Sequence, residues 1–288
     1  MKKASFILRE MHVGDIPGAI KLSRAEGWNQ TENDWKFLIE NLKNICLLAE
    51  CEKNIVGTTT AINYSNQIAW IGMVLVDEQY RGQGISKMLL TNILEKLESV
   101  KSVKLDATAA GQKIYKKFGF KDEYLITRMT NSSFNNLPTT KNDDILAEPI
   151  QLKDIQEIIT YDEFIFGANR TKLIEYLVRK YPGKGWLIKR NNSIVGIALG
   201  RPGNKYHQVG PVFASTMADA KTLIEKAFCK LTDKPIVIDV PAGKEELVKW
   251  LKSIGFIKQR NFIRMYKKEN LFPGVAQNQY VICGPEFG

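Results

Sequence analysis

The run Val74-Leu75-Val76-Asp77-Glu78-Gln79-Tyr80-Arg81-Gly82-Gln83-Gly84-Ile85-Ser86-Lys87-Met88-Leu89-Leu90 constrains this chain more than any other. Apolar residues from Ala69 to Val76 end in a turn, Arg81, Gly82 and Gly84 follow, and a helical pattern starts at Ile85. The order is strand, glycine-containing loop, helix. A helix start leaves backbone N–H groups without partners and carries partial positive charge. Glycines let the backbone come close to a ligand. Together they form a cradle for a phosphate or pyrophosphate.

A second element supports the first. Leu105-Asp106-Ala107-Thr108 reads as a short strand, Ala109 to Phe118 as a short helix bearing Tyr115, and Gly119-Phe120 as a turn into another strand. With both elements in order, the chain resembles the GNAT superfamily of acetyl-CoA-dependent N-acyltransferases over roughly residues 1 to 130. Arg81-x-x-Gly84-x-Ser86 matches that family's Arg/Gln-x-x-Gly-x-Gly/Ala signature, with Ser86 in the final small position. Tyr115-Lys116-Lys117-Phe118-Gly119-Phe120 matches its Tyr-x-x-x-Gly-Phe ending, and Thr108 stands where the family often has Asn.

Length and composition agree with a folded, two-domain chain. The 288 residues suit one large or two ordinary domains, and 44% hydrophobic content is enough for real cores. The longest apolar runs have strand length, short of a membrane span, and Met1 to Glu10 lacks the apolar stretch of a signal peptide, so a cytoplasmic location is expected. Cys46, Cys51, Cys229 and Cys283 show no Cys-x-x-Cys spacing, and His12 and His207 lie far apart, so no metal site is expected. The net charge of +10 comes from scattered lysines with no nucleic-acid motif; no nucleic-acid or membrane partner is expected.

In chain order, Ser5 to Glu10 reads as a strand and Asp15 to about Ala25 as a helix. Glu26-Gly27-Trp28-Asn29-Gln30 forms a turn, and Thr31 or Asn33 caps a second helix carrying Trp35 and Leu38. Strands follow over Ile45–Cys51, Ile55–Tyr64 and Gln67–Val76, a helix from Ile85 to about Val100, and strands at Val103–Ala107 and Tyr124–Met129. Thr130 to Asp144 is polar, aperiodic and contains a proline, the character of a linker.

Beyond that segment the pattern recurs. Asp239-Val240-Pro241 parallels Asp106-Ala107-Thr108, Lys249 to Phe256 parallels the Tyr115 helix and its Gly-Phe turn, Ile263-Arg264-Met265 parallels Thr127-Arg128-Met129, and Val209-Gly210-Pro211-Val212 parallels Ile71-Gly72-Met73-Val74. The copy is degenerate where chemistry belongs. Ser215-Thr216-Met217-Ala218-Asp219 replaces the glycine loop, and Trp250 is the aromatic nearest the Tyr115 position. The expected fold class is α/β (α+β mixed sheet): two GNAT-like domains, each a twisted, mostly antiparallel mixed sheet flanked by helices. The expected boundaries are 1–130 for the acetyl-CoA-binding domain, 131–144 for the linker and 145–288 for a second domain lacking the pyrophosphate loop. The Gly284-Pro285-Glu286-Phe287-Gly288 run resembles the tail of two-domain GNAT proteins.

The resemblance implies direct acetyl transfer from acetyl-CoA to an amine, with no metal. Backbone groups of Val74 to Val76 would pair with pantetheine amides. Amides from Gly82 through Gln83 and Gly84 to Ser86 would hold the pyrophosphate, with Arg81 reaching a phosphate or capping the turn. Tyr115 matches the tyrosine that protonates the leaving thiolate, and Glu26, Trp28 and Asn29 are acceptor-side candidates. An alkyl amine has a pKa near ~10.4 and must lose a proton before it attacks. Glu26, Glu32 and Asp106 in the first half, and Asp162 or Glu163 in the second, are the carboxylates considered for that task, beside a water chain. An acyl-enzyme on Cys46 or Cys51 is disfavoured, since neither has a neighbour that lowers a thiol pKa. The expected function is an N-acetyltransferase for a small-molecule or protein amine, as a monomer or homodimer; the alternative is a non-catalytic CoA or metabolite sensor.

Overall fold

The computed structural model describes residues 5–132, 145–229, 231 and 235–288. The expected linker over 131–144 lies mostly outside the described residues, and Asn131 itself belongs to a strand.

The same succession of elements occurs twice. The first half contains β1 (Ile7–Glu10), α1 (Ile16–Ala25), α2 (Glu32–Glu40), β2 (Ile45–Cys51), β3 (Asn54–Tyr64), β4 (Ile68–Val76), α3 (Ile85–Lys96), β5 (Ser102–Ala107), α4 (Ala109–Lys117) and β6 (Lys121–Asn131). The second contains β7 (Glu148–Pro149), α5 (Ile155–Phe166), α6 (Thr171–Lys180), β8 (Trp186–Arg190), β9 (Ser193–Pro202), β10 (His207–Ala214), α7 (Met217–Phe228), β11 (Ile236–Pro241), α8 (Glu245–Ser253) and β12 (Ile257–Lys268), followed by β13 (Gln279–Val281).

Local chemistry sets many of the boundaries. Glu52 and Lys53, at φ 49° and 66°, turn β2 into β3, and Asn191 and Asn192, at φ 50° and 61°, do the same between β8 and β9. Two successive positive φ values give a tight hairpin whose twist matches its strands. Thr31 caps α2: its hydroxyl accepts from the Asp34 amide, and the Asp34 carboxylate accepts from the Thr31 amide at 2.7 Å. Asn33 takes no part in that cap. α3 ends at Lys96 rather than near Val100, although Leu97 and Val100 remain buried in the turn that follows.

The sheet is continuous through both halves, in the order β1-β2-β3-β4-β5-β12-β6-β11-β10-β9-β8-β7, with β13 added to β10. The described pairings are antiparallel except β4–β5 and β10–β11, which are parallel. The middle of the sheet is exchanged. β12 of the second half lies between β5 and β6, and β6 of the first half lies between β12 and β11. Each exchanged strand carries an arginine into a buried carboxylate of the other half. Arg264 on β12 faces Asp106 on β5, with Nε–Oδ1 2.9 Å and Nη2–Oδ2 3.0 Å. Arg128 on β6 faces Asp239 on β11, with Nε–Oδ1 2.7 Å and Nη2–Oδ2 2.8 Å. These are bidentate pairs, the strong form of a charged hydrogen bond.

Alternation along β4 sends Ile68 and Trp70 to one face and Ala69 and Ile71 to the other. The first face joins α1, α2, α5 and α6 in a single core that includes Trp35, Trp70, Phe166, Leu173 and Phe287 from both halves. The second face packs under α3 in the first half, and a separate cluster lies under α7 and α8 in the second. No described helix is long and apolar enough to cross a membrane.

Candidate active site

β4 and β5 pair only through Ile68–Ser102, Ala69–Val103 and Trp70–Lys104, and then diverge. From Ile71 to Val76 the β5 side of β4 therefore has no strand partner. At the same place β4 bulges against β3: the register shifts between Thr58–Leu75 and Thr60–Gly72, and Met73 adopts φ 51°. The Thr58 hydroxyl donates to the Met73 carbonyl at 2.8 Å and holds this conformation. A bulge re-aims the backbone groups that follow it, here into the divergence. The resulting cleft, of about 620 Å³, is lined by Ile71 to Val76, Arg81, Gly82, Gly84, Ser86, Asp106, Thr108 and Tyr115.

The loop closes one end of this cleft. Gly82 has φ +78° and Gly84, at the N-cap of α3, has φ +85°, and a Cβ on either would meet nothing within 4 Å. Glycine is thus required by the backbone conformation, and the loop faces open space above a helix of 12 residues. Arg81 is held along the loop, with Nε donating to the Val76 carbonyl at 3.3 Å and Nη2 donating to Glu26 at the end of α1. Ser86 lines the cleft from the first turn of α3, while Gln83 is exposed and does not line it.

Tyr115 lies on α4, whose N-cap Thr108 accepts from the Gly111 amide at 3.2 Å. The ring folds back over Gly111, where a Cβ would sit 2.9 Å from Cε2, and meets Phe120 edge-on at 5.9 Å. Burial pushes the Tyr115 hydroxyl pKa up, so it stays protonated at neutral pH.

At the other end, Trp28, Asn29 and Gln30 from the α1–α2 turn face Phe262 and Arg260 from β12. Asn29 has a structural task there. Its Oδ1 accepts from the Lys205 and Tyr206 amides, both at 2.9 Å, and its Nδ2 donates to the Tyr206 carbonyl at 3.1 Å. The side-chain amide therefore fastens the 203–206 turn of the second half to the first. Trp28 lines the cleft and packs against the shared core.

The carboxylates considered from sequence are all engaged or remote. Glu26 pairs with Arg81, Asp106 with Arg264, and Asp162 with Arg170 at 2.6 Å; Glu163 accepts from Asn169, and Glu32 opens α2 without lining the cleft. The carboxylate that sequence reasoning missed is Glu286, which lines the cleft, is 4% exposed and, although paired with Arg201, is set against the β4 backbone at Gly72. Its signal was a glutamate set between Pro285 and Phe287 in an otherwise small and apolar run. Cys46 is buried and its thiol is pushed up to about 12 by burial, which makes it a poor nucleophile. Among the described residues no group of three or more His, Cys, Asp or Glu side chains could hold a metal ion.

In the second half β10 and β11 also begin parallel, at 207–209 and 236–238, and β10 bulges between Val209 and Val212. Here β13 fills the divergence, pairing with β10 at Val212 and Phe213, while Ile282 donates to the Asp239 carbonyl of β11 at 3.1 Å. Gly210 makes the room: a Cβ there would lie 2.0 Å from the Ile282 oxygen. At the start of α7 the Thr216 hydroxyl accepts from the Asp219 amide at 3.1 Å, and Asp219 is buried against Arg190 at 2.9 Å. A capped, acid-bearing helix start offers nothing to a phosphate.

Two regions, residues 43–122 and 158–281, each match the description "Acetyltransferase (GNAT) domain". The holothin acyltransferase of Pseudoalteromonas sp. (strain SANK 73390) is 25% identical over 213 residues, covering 74% of this chain and 71% of that protein. The uncharacterized N-acetyltransferase YitH of Bacillus subtilis (strain 168) is 23% identical over 257 residues, covering 87% and 88%. A crystal structure of a candidate acetyltransferase from Pyrococcus horikoshii superposes with a TM-score of 0.82 at 22% identity, over 100% of this chain and 97% of that one, and so shares the fold. With the signature loop and its degenerate copy on one continuous sheet, and both halves matched, the chain belongs to the GNAT acetyltransferase family as a two-domain member.

Proposed function

We propose that this chain transfers an acetyl group from acetyl-CoA directly to an amine, using the first half (residues 1–130) for chemistry and the second (residues 145–288) to complete the cleft. The observation that carries this reading is the divergence of β4 from β5 beside a positive-φ glycine loop at the start of α3. The free edge of Val74 to Val76 takes the pantetheine amides as an added strand would. Amides from Gly82 to Ser86, Gln83 included, hold the pyrophosphate at the helix start. Arg81, steered by Glu26, adds charge near it. A backbone N–H at the Met73 bulge faces the thioester oxygen and stabilises the negative charge that develops there. Tyr115, kept protonated by burial, gives its proton to the departing thiolate.

The test is a thermal-shift titration with acetyl-CoA on the wild type and on Gly84→Glu. A ligand bound only by the folded state stabilises it by about 2.7 kcal/mol at a hundredfold excess over Kd. A saturable rise in the wild type, lost in the variant, is the expected result; no rise at millimolar acetyl-CoA would reject the reading.

A further inference from the structure

We propose that Glu286 is the acceptor-side carboxylate of this cleft, binding the ammonium form of the amine and taking its proton before attack. This rests on the acetyltransfer reading above and names the group that reading lacks.

The segment that carries Glu286 is anchored by both halves. The Cys283 carbonyl accepts from Arg201 at 2.7 Å, Pro285 from the Trp70 indole at 2.9 Å, Phe287 from the Tyr64 hydroxyl at 2.8 Å and Gly288 from Arg170 at 3.0 Å. Phe287 is fully buried, and the Arg201 guanidinium lies over its ring at 4.6 Å. Glu286 is thereby fixed against Gly72, where a Cβ would come within 3.3 Å of the Glu286 Cα. Gly72 immediately precedes the Met73 bulge, so the Glu286 backbone and Cβ stand beside the backbone assigned to the thioester carbonyl, and its carboxylate lines the same cleft.

Charge supports the assignment. Arg201 serves two buried carboxylates, Asp34 at 3.1 Å and Glu286. Two carboxylates around one guanidinium are one positive charge short; burial and the neighbouring Glu286 push the Asp34 carboxyl up, so a proton on Asp34 or a substrate ammonium at the cleft-lining Glu286 meets the deficit. The other groups facing Glu286 do not meet it: Arg128 is committed to Asp239, and Tyr64 and Cys283 are raised by burial and stay neutral. Arg260, across the cleft, feels Arg128, Asp239 and Tyr206 instead.

The step balances as follows. The ammonium gives one proton to Glu286, and the freed nitrogen pair forms the C–N bond at the thioester carbon. The tetrahedral adduct then expels the C–S electron pair. Tyr115 protonates the sulfur, and its phenolate recovers a proton from the acetylated nitrogen. Glu286 returns the first proton to solvent.

Glu286→Gln keeps an oxygen for Arg201 and removes the base. Wild type and variant are compared by thiol release with acetyl-CoA and a panel of primary amines (spermidine, lysine, glucosamine, a Ser-Ala peptide). The acetyl-CoA thermal shift should be unchanged, while kcat/KM at neutral pH falls about 10²–10⁴-fold and recovers as pH approaches the amine's own pKa. Glu286→Asp, with its carboxylate withdrawn by one methylene, should lose less and keep the wild-type pH profile. Equal kcat/KM and an equal profile in Glu286→Gln, or in Glu286→Ala should the first variant not fold, would overturn the assignment alone. No thiol release by the wild type with any amine would reject the transfer reading and this inference together.

Discussion

In the first half β4 leaves β5 after Trp70, and in the second β10 leaves β11 after Val209. Both departures are followed within two residues by a glycine, Gly72 or Gly210, and by a bulge. In the first half the divergence is a cleft; in the second it holds β13. A peptide strand and a pantetheine arm both present amides to a strand edge, so one can take the position of the other. The second copy has lost its loop glycines and has used the same opening to seat its own chain. Residues 282–288 follow that seated strand, and Pro285 and Glu286 among them line the first cleft.

The largest effect that would sharpen this contrast is expected at Tyr115. Tyr115→Phe should lower kcat about 10²–10⁴-fold with acetyl-CoA affinity retained, measured at saturating acetyl-CoA. Trp250→Phe, at the corresponding place in the second half, should leave kcat within about twofold, since Trp250 packs against the second-half core and does not line the cleft. Equal losses would break the assignment of chemistry to one half.

Next comes the anchoring of the 282–288 segment. Arg170 is fully buried between Asp162 and the Gly288 carbonyl, with Phe166 3.8 Å from its guanidinium carbon. Arg170→Met strands the Asp162 charge and should cost about 3–5 kcal/mol by urea denaturation. The paired glycines should rank below it. Gly210→Ala forces a Cβ onto the Ile282 oxygen in a positive-φ backbone, and should cost about 1–3 kcal/mol. Gly72→Ala meets Glu286 less closely and should cost less in stability while raising the KM for the amine. The reverse ranking would mean that β13 is not a tight filler.

The smallest effect is a labelling pattern. Cys229 is exposed, whereas Cys46, Cys51 and Cys283 are buried. Burial pushes Cys46 up to about 12 and Cys283 to about 11. At pH 8 a thiol-alkylating reagent should modify Cys229 alone in the native protein, by intact mass. Acetylation of Cys46 during turnover would reopen the acyl-enzyme route.

The cleft was readable in the sequence where its parts are local. The glycine loop, the Tyr115 helix and the hairpin turns each occupy a few adjacent residues whose backbone demands show in their identity. The repeat was readable too, down to the correspondence of Asp106 with Asp239 and of Arg128 with Arg264. Their pairing across the halves was not, because strand exchange leaves each half's own pattern unchanged and alters only which neighbour each strand has. Asn29 is an acceptor-side candidate by resemblance and lines the cleft, but its side-chain partners, 176 and 177 positions away, could not be read from its neighbours. Glu286 was hidden for the same reason: nothing near it in sequence says that Gly72 and Arg201 will receive it.

The exchange of β6 and β12 also bears on synthesis. When the first half has left the ribosome, β5 and β6 flank a gap that only residues 257–268 fill, and at about 5–20 residues per second that strand arrives on the order of ten seconds later. During this interval one edge of β5 and both edges of β6, whose described partners β11 and β12 belong to the second half, stand exposed, each a template for the wrong partner. Arg264 meets Asp106 only when the right strand arrives, and a neighbouring nascent chain can offer the same strand and the same arginine. Crowded polysomes would then yield intertwined pairs of chains, each completing the other's sheet, built from contacts identical to those within one chain.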